Sequence, residues 1–487
     1  MTAYPGFIGP SYVSQSLIAD AEQTINFYTE ILQAEAAKNR MALYPTPGFQ
    51  DYASTSLSPI RGMFYQNGRM FAVIGFEFVE VAGGVITLLG TVDSDNKPAT
   101  ISSSGDGGNQ LFITSGGSGY IFDLVSSVFT HIVGLQATQG GFLDGFFLAL
   151  DTVNSTLRIS NYFQGLTWDP TQFRVRGLAA DRWTGMIVIQ STIFLFGTQT
   201  YEVWQNTGAA PFPFGPILGY FFAEGLGARF SLSRLGDFPA WLSLNDQGAG
   251  RVFVAQGYAP VPISNHAVEN AIQGYARMGL DTSDAVSFTY QEDGHEFYCL
   301  TFPTVDTTWV YDRSTQQWHQ RLIWVDDGLV PAHWEAWRPL YHVYAFGKHL
   351  VGDRLLGKIY EMGLQLFLDV GGVPLRRLRR APAVASGMSR VFFPRFELDM
   401  QVGIGLSTGQ GSDPQVMMRT SNDGGLTFGS ERRRSAGKQG KYLTHVYWNK
   451  CGQALDGRRV FEVNVSDPVP WRLINAYLPG VRPAGQP

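Results

Sequence analysis

The sequence predicts an all-β protein: a β-propeller-like main domain of about six or seven blades, then a C-terminal antiparallel β-sandwich. Three observations carry this expectation. The 487 residues include 56 Gly and 25 Pro, while aromatics reach 14% and charged residues only 16%, a composition of short strands and tight turns. A unit recurs from about residue 60 to 365 at roughly 35–55-residue spacing: a Gly- or Asn-led turn, an apolar run, a second turn and a second run. Charge then breaks sharply. Residues 1–374 carry 19 Lys/Arg against 33 Asp/Glu, net −14, and residues 375–487 carry 17 against 8, net +9, with the break after Gly371-Gly372-Val373-Pro374.

In chain order, residues 1–55 form an N-terminal segment joining the propeller. Residues 21–30 alternate around Ile25, Phe27 and Tyr28 as a strand does, and Tyr44-Pro45-Thr46-Pro47-Gly48 is a turn that forbids helix. The propeller spans 56–370. Its paired runs include 69–75 with 76–81, 110–114 with 120–124, 192–197 with 200–205, 251–255, 296–302 with 308–312, and 341–347 with 358–362. A series of β-sandwiches is the competing geometry, and no WD signature occurs. One helix interrupts the pattern. Ser264 and Asn265 are capping types, Glu269 suits the first turn, Val268, Ile272 and Tyr275 mark one face, and the helix ends near Gly279. The sandwich spans 375–487, with strands expected at 391–398, 416–420, 442–448, 460–465 and 471–477.

Several classes are excluded. The chain is 44% hydrophobic, too apolar for disorder, and too charge-poor and Gly/Pro-rich for a coiled coil. Cys299 and Cys451 lack metal-type spacing and read as reduced cysteines in packed β structure. The first basic residue is Lys38, so no charged n-region of a secretory signal is visible. The longest apolar-looking run, 203–223, holds Gln205, Asn206, three prolines and three glycines, which argues against a membrane span. A soluble protein made in the cytosol is expected.

Candidate chemistry is sparse. Gly405-Leu406-Ser407-Thr408-Gly409 has nucleophile-elbow spacing, but the following Gln-Gly-Ser-Asp-Pro cannot start the required helix, so a flexible loop is expected. The stretch 421–428 is an Asp-box, a structural turn in which Ser421, Asp423, Gly425 and Phe428 hold a hairpin. Asp93-Ser94-Asp95-Asn96 lacks the Gly and distal Glu of a calcium loop and reads as a solvated turn. His342 with His349, and His295 beside Glu296, lack metal spacing, and 437–441 is no phosphate loop. No catalytic residue, metal ligand or cofactor is assigned. Two basic clusters remain as assembly or DNA-contact candidates: Arg376, Arg377, Arg379 and Arg380, and then Arg432, Arg433, Arg434, Lys438 and Lys441. Neither interleaves aromatics, so sequence reading on nucleic acid is not expected.

Blocks in order along the chain resemble the packaged-DNA stabilisation proteins, or tail hubs, of short-tailed bacteriophages. They are Ser11-Tyr12 with Ser14-Gln15-Ser16, the stretches 19–30 and 39–48, then 192–208, Pro262-Ile263-Ser264, 309–318, 417–448 and 461–465. The resemblance implies a structural virion protein of propeller-like fold, made in the host cytoplasm and located in the tail. It implies a homo-oligomeric ring, a hexamer in the family, below the portal and its adaptor. That ring closes the channel after packaging, holds double-stranded DNA without sequence specificity, carries needle, fibre or spike proteins, and serves as the conduit on ejection. It supplies no catalytic residues. The proline-rich tail 482–487 and residues 138–154 depart from the pattern, which leaves the partner surfaces open. The alternative is a glycan-binding or glycan-hydrolysing, sialidase-like propeller, motivated by the Asp-box and the aromatics. Such an enzyme needs clustered carboxylates, or an Arg triad with a Tyr nucleophile, and neither is assignable. A fibre head would need a repeat-built shaft, which is not visible. A ring needs two different matching faces, so the acidic 1–374 and basic 375–487 regions are expected to help a match, either between neighbours or with the portal adaptor, and assembly to weaken with salt.

Overall fold

The computed structural model describes residues 3–33, 39–244, 250–326, 328, 331–384, 389–454 and 458–483. Six four-stranded antiparallel sheets, and a seventh set of four antiparallel strands at the end of a larger sheet, form the blades of a propeller. Their innermost strands are Ile60–Gln66, Thr100–Ser103, Gln139–Leu143, Trp183–Ile189, Ser233–Leu235, Val286–Glu292 and Pro339–Ala345. Each packs beside the next, blade 4 meeting blade 5 through Arg229–Ser231 and Phe238–Leu244, and the seventh packs against the first. The ring is therefore closed, which removes the open-edge problem between blades.

Local chemistry sets each blade. Between Ile60–Gln66 and Arg69–Ile74, Asn67 (φ 50°) and Gly68 (φ 77°) make the two-residue left-handed turn whose twist matches a hairpin. The strands that follow are apolar on both faces because each blade is sandwiched by its neighbours. Phe71, Phe78, Leu111, Ile113 and Phe122 fill the space between blades 1 and 2, with Phe71 stacked on Phe78 at 5.7 Å. Trp241, Phe196 and Tyr201 do the same between blades 4 and 5. Each such side chain contributes about 1.5–3 kcal/mol on burial.

The helix His266–Arg277 lies between blades 5 and 6. Asn265 Oδ1 accepts from Val268 N at 3.0 Å, the expected cap, and Ala267, Val268 and Ile272 are its buried residues. A four-residue helical turn, Gly105–Gly108, adds to it and was not expected from the sequence.

The N-terminal segment divides between the two halves of the molecule. Gly48–Ser54 pairs with Lys358–Gly363 as the outer strand of blade 7, so the chain's start locks its last blade. Phe27–Ile31 and Met41–Pro45 belong instead to a five-stranded sheet with Leu473–Tyr477, Arg395–Met400 and Val446–Asn449. Ala21–Ile25 is the hinge strand. It pairs in parallel with the outer strand of blade 6, Ile25 opposite Gln320, and antiparallel with Arg377–Arg380. From there the sheet continues through Val460–Val465 and Gln415–Ser421 to Arg432–Ser435. One ten-stranded sheet thus runs from propeller into sandwich. The two sandwich sheets enclose Phe27, Leu43, Phe396, Trp448, Phe461 and Trp471, with Phe396 stacked on Phe461 at 4.6 Å.

The expected 391–398 strand is split at Pro394 into Val391–Phe392 and Arg395–Met400, since proline cannot donate to the ladder. The expected 442–448 strand shortens to Val446–Asn449, and Tyr442 and Leu443 lie exposed in the turn before it. No helix among the described residues is long and apolar enough to cross a membrane.

Candidate functional site

The first basic cluster sits inside the molecule. Arg377–Arg380 is the strand between Ala21–Ile25 and Val460–Val465, and its alternation sends Arg377 and Arg379 to a closed face. Both are 0% exposed, which corrects the expectation that they contact DNA or a partner. Arg379 pairs with Glu22 and donates to the carbonyls of Gly6 (2.7 Å), Phe7 (2.5 Å), Gly9 (3.2 Å) and Pro10 (3.0 Å) and to Thr24 Oγ1 (2.8 Å). It therefore folds the N-terminal strap onto the hinge strand. Arg377 donates to Leu375 O and Thr46 O and faces Asp369. Burial pushes its guanidinium down and the Asp369 carboxyl up, each opposing charge countering part of the effect.

The other two arginines of this cluster are also engaged. Arg380 and Arg419 both bind the fully buried Glu462, at 2.8 Å and 2.5 Å. Burial alone would raise that carboxyl, but the two guanidiniums and Asn464 hold it below the usual range. Arg376 pairs with Glu431 at 3.1 Å and lies 4.1 Å above the Trp324 ring. A strand that looks like a phosphate comb is the cement between the domains.

The Asp-box clips onto this assembly. Asp423 accepts from the backbone N–H groups of Leu426 (3.0 Å) and Thr427 (2.9 Å) and from the hydroxyls of Ser421 and Thr427 (2.5 Å each). Those hydroxyls hold its carboxyl far below the usual range. Gly425 (φ 100°) is needed because a Cβ there would meet the Ala21 Cβ at 2.9 Å. Phe428 is clamped between the guanidiniums of Arg380 and Arg419, each 4.7 Å from its centroid.

The second basic cluster is at the surface. Arg432–Ser435 pairs only with Gln415–Ser421, so it is a sheet edge. Arg432 is half-buried and donates to Asn449 O, whereas Arg433, Arg434, Lys438 and Lys441 are exposed. These four have no ion-pair partner among the described residues. Beside them stand Tyr442, 71% exposed, and Leu443, 94% exposed. Cations and large apolar groups side by side make this the best-formed assembly candidate of the sandwich.

The loop at 405–409 is closed by Leu406 N to Gly411 O and is not the strand-to-helix turn a nucleophile elbow requires. Among the described residues no His, Cys, Asp and Glu group is arranged to hold a metal.

Two features escaped the sequence reading. His295 bridges Asp312 and Glu30 at 2.7 Å each, tying blade 6 to the N-terminal strand Phe27–Ile31. Burial alone would lower its pKa, but the two carboxylates raise it to about 9. The second is a cavity of about 620 Å³ at the propeller axis, on the face where the innermost strands begin. Arg61, Lys97, Arg229, Arg354, Asp281, Asp284 and Tyr341 supply its polar groups. Arg61 is fully engaged by Asp95 (2.8 Å) and the carbonyls of Gly75, Asp93 and Lys97, and Arg354 pairs with Asp306 at 2.7 Å. Asp281 accepts from Ser283 N and Asp284 from Thr304 N, each at 2.8 Å.

No curated protein matches this chain. Solved structures similar to it include the extracellular domain of the hybrid two-component system BT3049 from B. thetaiotaomicron. That match has 8% identity and a TM-score of 0.44, covering 84% of this chain and 50% of the other. PorZ of Porphyromonas gingivalis follows at 12% identity and a TM-score of 0.38, covering 72% and 44%. The N-terminal domain of Nup159 matches at 11% and 0.38, covering 70% and 99%. Two family models match in succession: "Bacteriophage P22 Gp10, beta-propeller" over residues 23–366 and "Bacteriophage P22 Gp10, beta-sandwich" over residues 376–478. Their order repeats the order of the two folded units, and the chain belongs to the bacteriophage P22 Gp10 family, the structural tail-hub and DNA-stabilisation proteins of short-tailed phages.

Proposed function

We propose that this protein is the ring-forming hub of a short phage tail. Copies of the chain, six by analogy with the family, assemble beneath the portal and its adaptor and close the DNA channel after packaging. The ring retains the packaged DNA, carries needle, fibre or spike proteins below, and is the conduit on ejection. The observation that carries this reading is the succession of the two family models over residues 23–366 and 376–478.

The work of such a hub is packing and electrostatics. A closed ring requires a heterologous interface, so two different faces of each subunit must fit. The exposed cations Arg433, Arg434, Lys438 and Lys441, with Leu443 beside them, are proposed as one face. The other is the acidic propeller of the neighbour, where Asp293 is exposed in an open depression at the first turn of blade 6, beside Glu292 and the Glu296 that pairs with Arg313. The continuous ten-stranded sheet supports this division of labour, because it fixes the sandwich face relative to the propeller. Native mass spectrometry of the purified chain over a salt series tests the reading. Rings of uniform copy number that dissociate as salt rises support it. A monomer at every salt concentration, or rings indifferent to salt, counts against it.

A further inference from the structure

We propose that an apolar bulge on the rim of blade 4 seats in a groove at the outer edge of blade 7 of a neighbouring copy. The inference rests on the ring reading above and names the apolar part of its interface.

The knob comes from a break in a sheet edge. Phe214–Phe222 is the outer strand of blade 4 and pairs with Tyr201–Asn206. Glu202 stands opposite Phe221 and Trp204 opposite Pro216, so Val203 alone faces the four residues 217–220. Gly219 (φ 89°) supplies the left-handed residue this excursion needs. Leu218 within it is 90% exposed, with Tyr220 and Phe221 exposed beside it. The same device recurs in blade 2. There Gly119 alone faces residues 132–135, Gly134 has φ 83°, and Val133 is exposed. A bulge shields an edge from strand pairing, but that duty needs no apolar tip. Blade 5 meets it with two prolines in its outer strand Ala259–Pro262. In blade 4 the tip is aliphatic and aromatic, and no charged residue occurs between Glu202 and Glu224. Such a tip suits a neutral, apolar partner.

The groove lies three blades away. It measures about 730 Å³, with walls from Phe49, Leu366, Phe367 and Leu368 beside blade 7 and from Leu406 and Pro468 of the sandwich. Asp51 and Lys358, also lining it, neutralise each other at 2.9 Å. Asp369 is buried and faces Arg377. Knob and groove are therefore matched in charge: neither calls for a charged partner, so neither suits DNA. The arrangement of the blades makes the occupant a second copy. A heterologous ring needs two different matching patches on separate edges of the subunit. Blades 4 and 7 stand three places apart in a closed circle of seven, so the knob cannot reach the groove of its own chain. Each copy can offer its knob to one neighbour and its groove to the other. The groove also adjoins the basic face proposed for the interface. A Cβ on Gly403, three residues before Leu406, would meet the Tyr442 ring beside Lys441.

Crosslinking of the full-length Leu218→Cys, Leu368→Cys double variant with a short bismaleimide tests the contact. The two single variants and the native chain, whose Cys299 and Cys451 are buried, are the controls. Covalent multimers from the double variant alone are the expected result. Native mass spectrometry gives a second readout. Leu218→Ser should weaken ring assembly about tenfold or more at every salt concentration, with the salt slope and the melting temperature of the subunit unchanged, because the lost contact carries no charge. Val133→Ser, in the matching bulge of blade 2, should leave assembly as it is. The proposal is overturned by rings that give no crosslink, by rings indifferent to Leu218→Ser, or by an equal loss from Val133→Ser. A native chain that forms no ring at any salt concentration instead overturns the ring reading, and this contact with it.

Discussion

Replacing Arg379 by Met would leave the Glu22 carboxylate buried without its cation and strip four carbonyls of a donor. Breaking a buried pair in this way costs about 3–5 kcal/mol, so Arg379→Met should lower the denaturant midpoint far more than Arg433→Met at the surface. Equal effects of the two substitutions in guanidinium unfolding would contradict the placement of Arg379. The His295 bridge makes a prediction in pH. Its pKa rises from 6.5 in the unfolded chain to about 9 in the fold. Its contribution is therefore complete below about pH 6.5 and is lost as pH climbs through about 9. The stability gap between the native chain and His295→Gln, read by urea melts, should shrink across that window; a constant gap would refute it. Neither residue's role was legible in the sequence. Glu22 lies 357 positions from Arg379 and Glu30 lies 265 from His295, so the partner that makes each charge tolerable is supplied only by the fold. Cations written in a row read as a surface, and the alternation of a central strand buried every second one.

At the scale of elements, local pattern was informative. Thr192–Gly197 and Val460–Val465 fall where the apolar runs and their bounding turns put them, because two flanking layers demand apolar residues throughout. The helix was readable from its cap for the same local reason. The destination of the N-terminal strands was not readable. Ala21–Ile25 carries an ordinary strand pattern, and nothing within it states that its neighbours lie at 320 and 378. The closing strand Gly48–Ser54 offers a test at this scale. A Cβ on Gly48 would meet the backbone oxygens of Leu366 and Leu368 at 2.5 and 2.7 Å. Gly48→Ala should therefore push the strand off blade 7 and cost about 1–3 kcal/mol, seen as a lower melting temperature. Gly83→Ala, where a Cβ meets nothing within 4 Å, controls for the glycine change itself, although its positive φ adds a small strain. A melting temperature unchanged by Gly48→Ala would refute this view of ring closure.

For the whole molecule, the charge split along the sequence now has a physical shape. Part of the basic excess after residue 374 is used inside, against Glu22 and Glu462. What remains outside is concentrated between Arg432 and Lys441. The double substitution Arg433→Glu with Arg434→Glu should therefore abolish rings at a salt concentration where the native chain assembles, while leaving the melting temperature of the subunit unchanged. Rings that persist would move the interface elsewhere. The most direct measurement is a cryo-electron microscopy reconstruction of the intact tail. The account predicts a closed ring of this chain below the portal adaptor, ending the DNA column, with residues 432–441 against the propeller of the next copy. A virion that lacks the chain, or one that holds it as isolated copies outside the channel, would contradict the account.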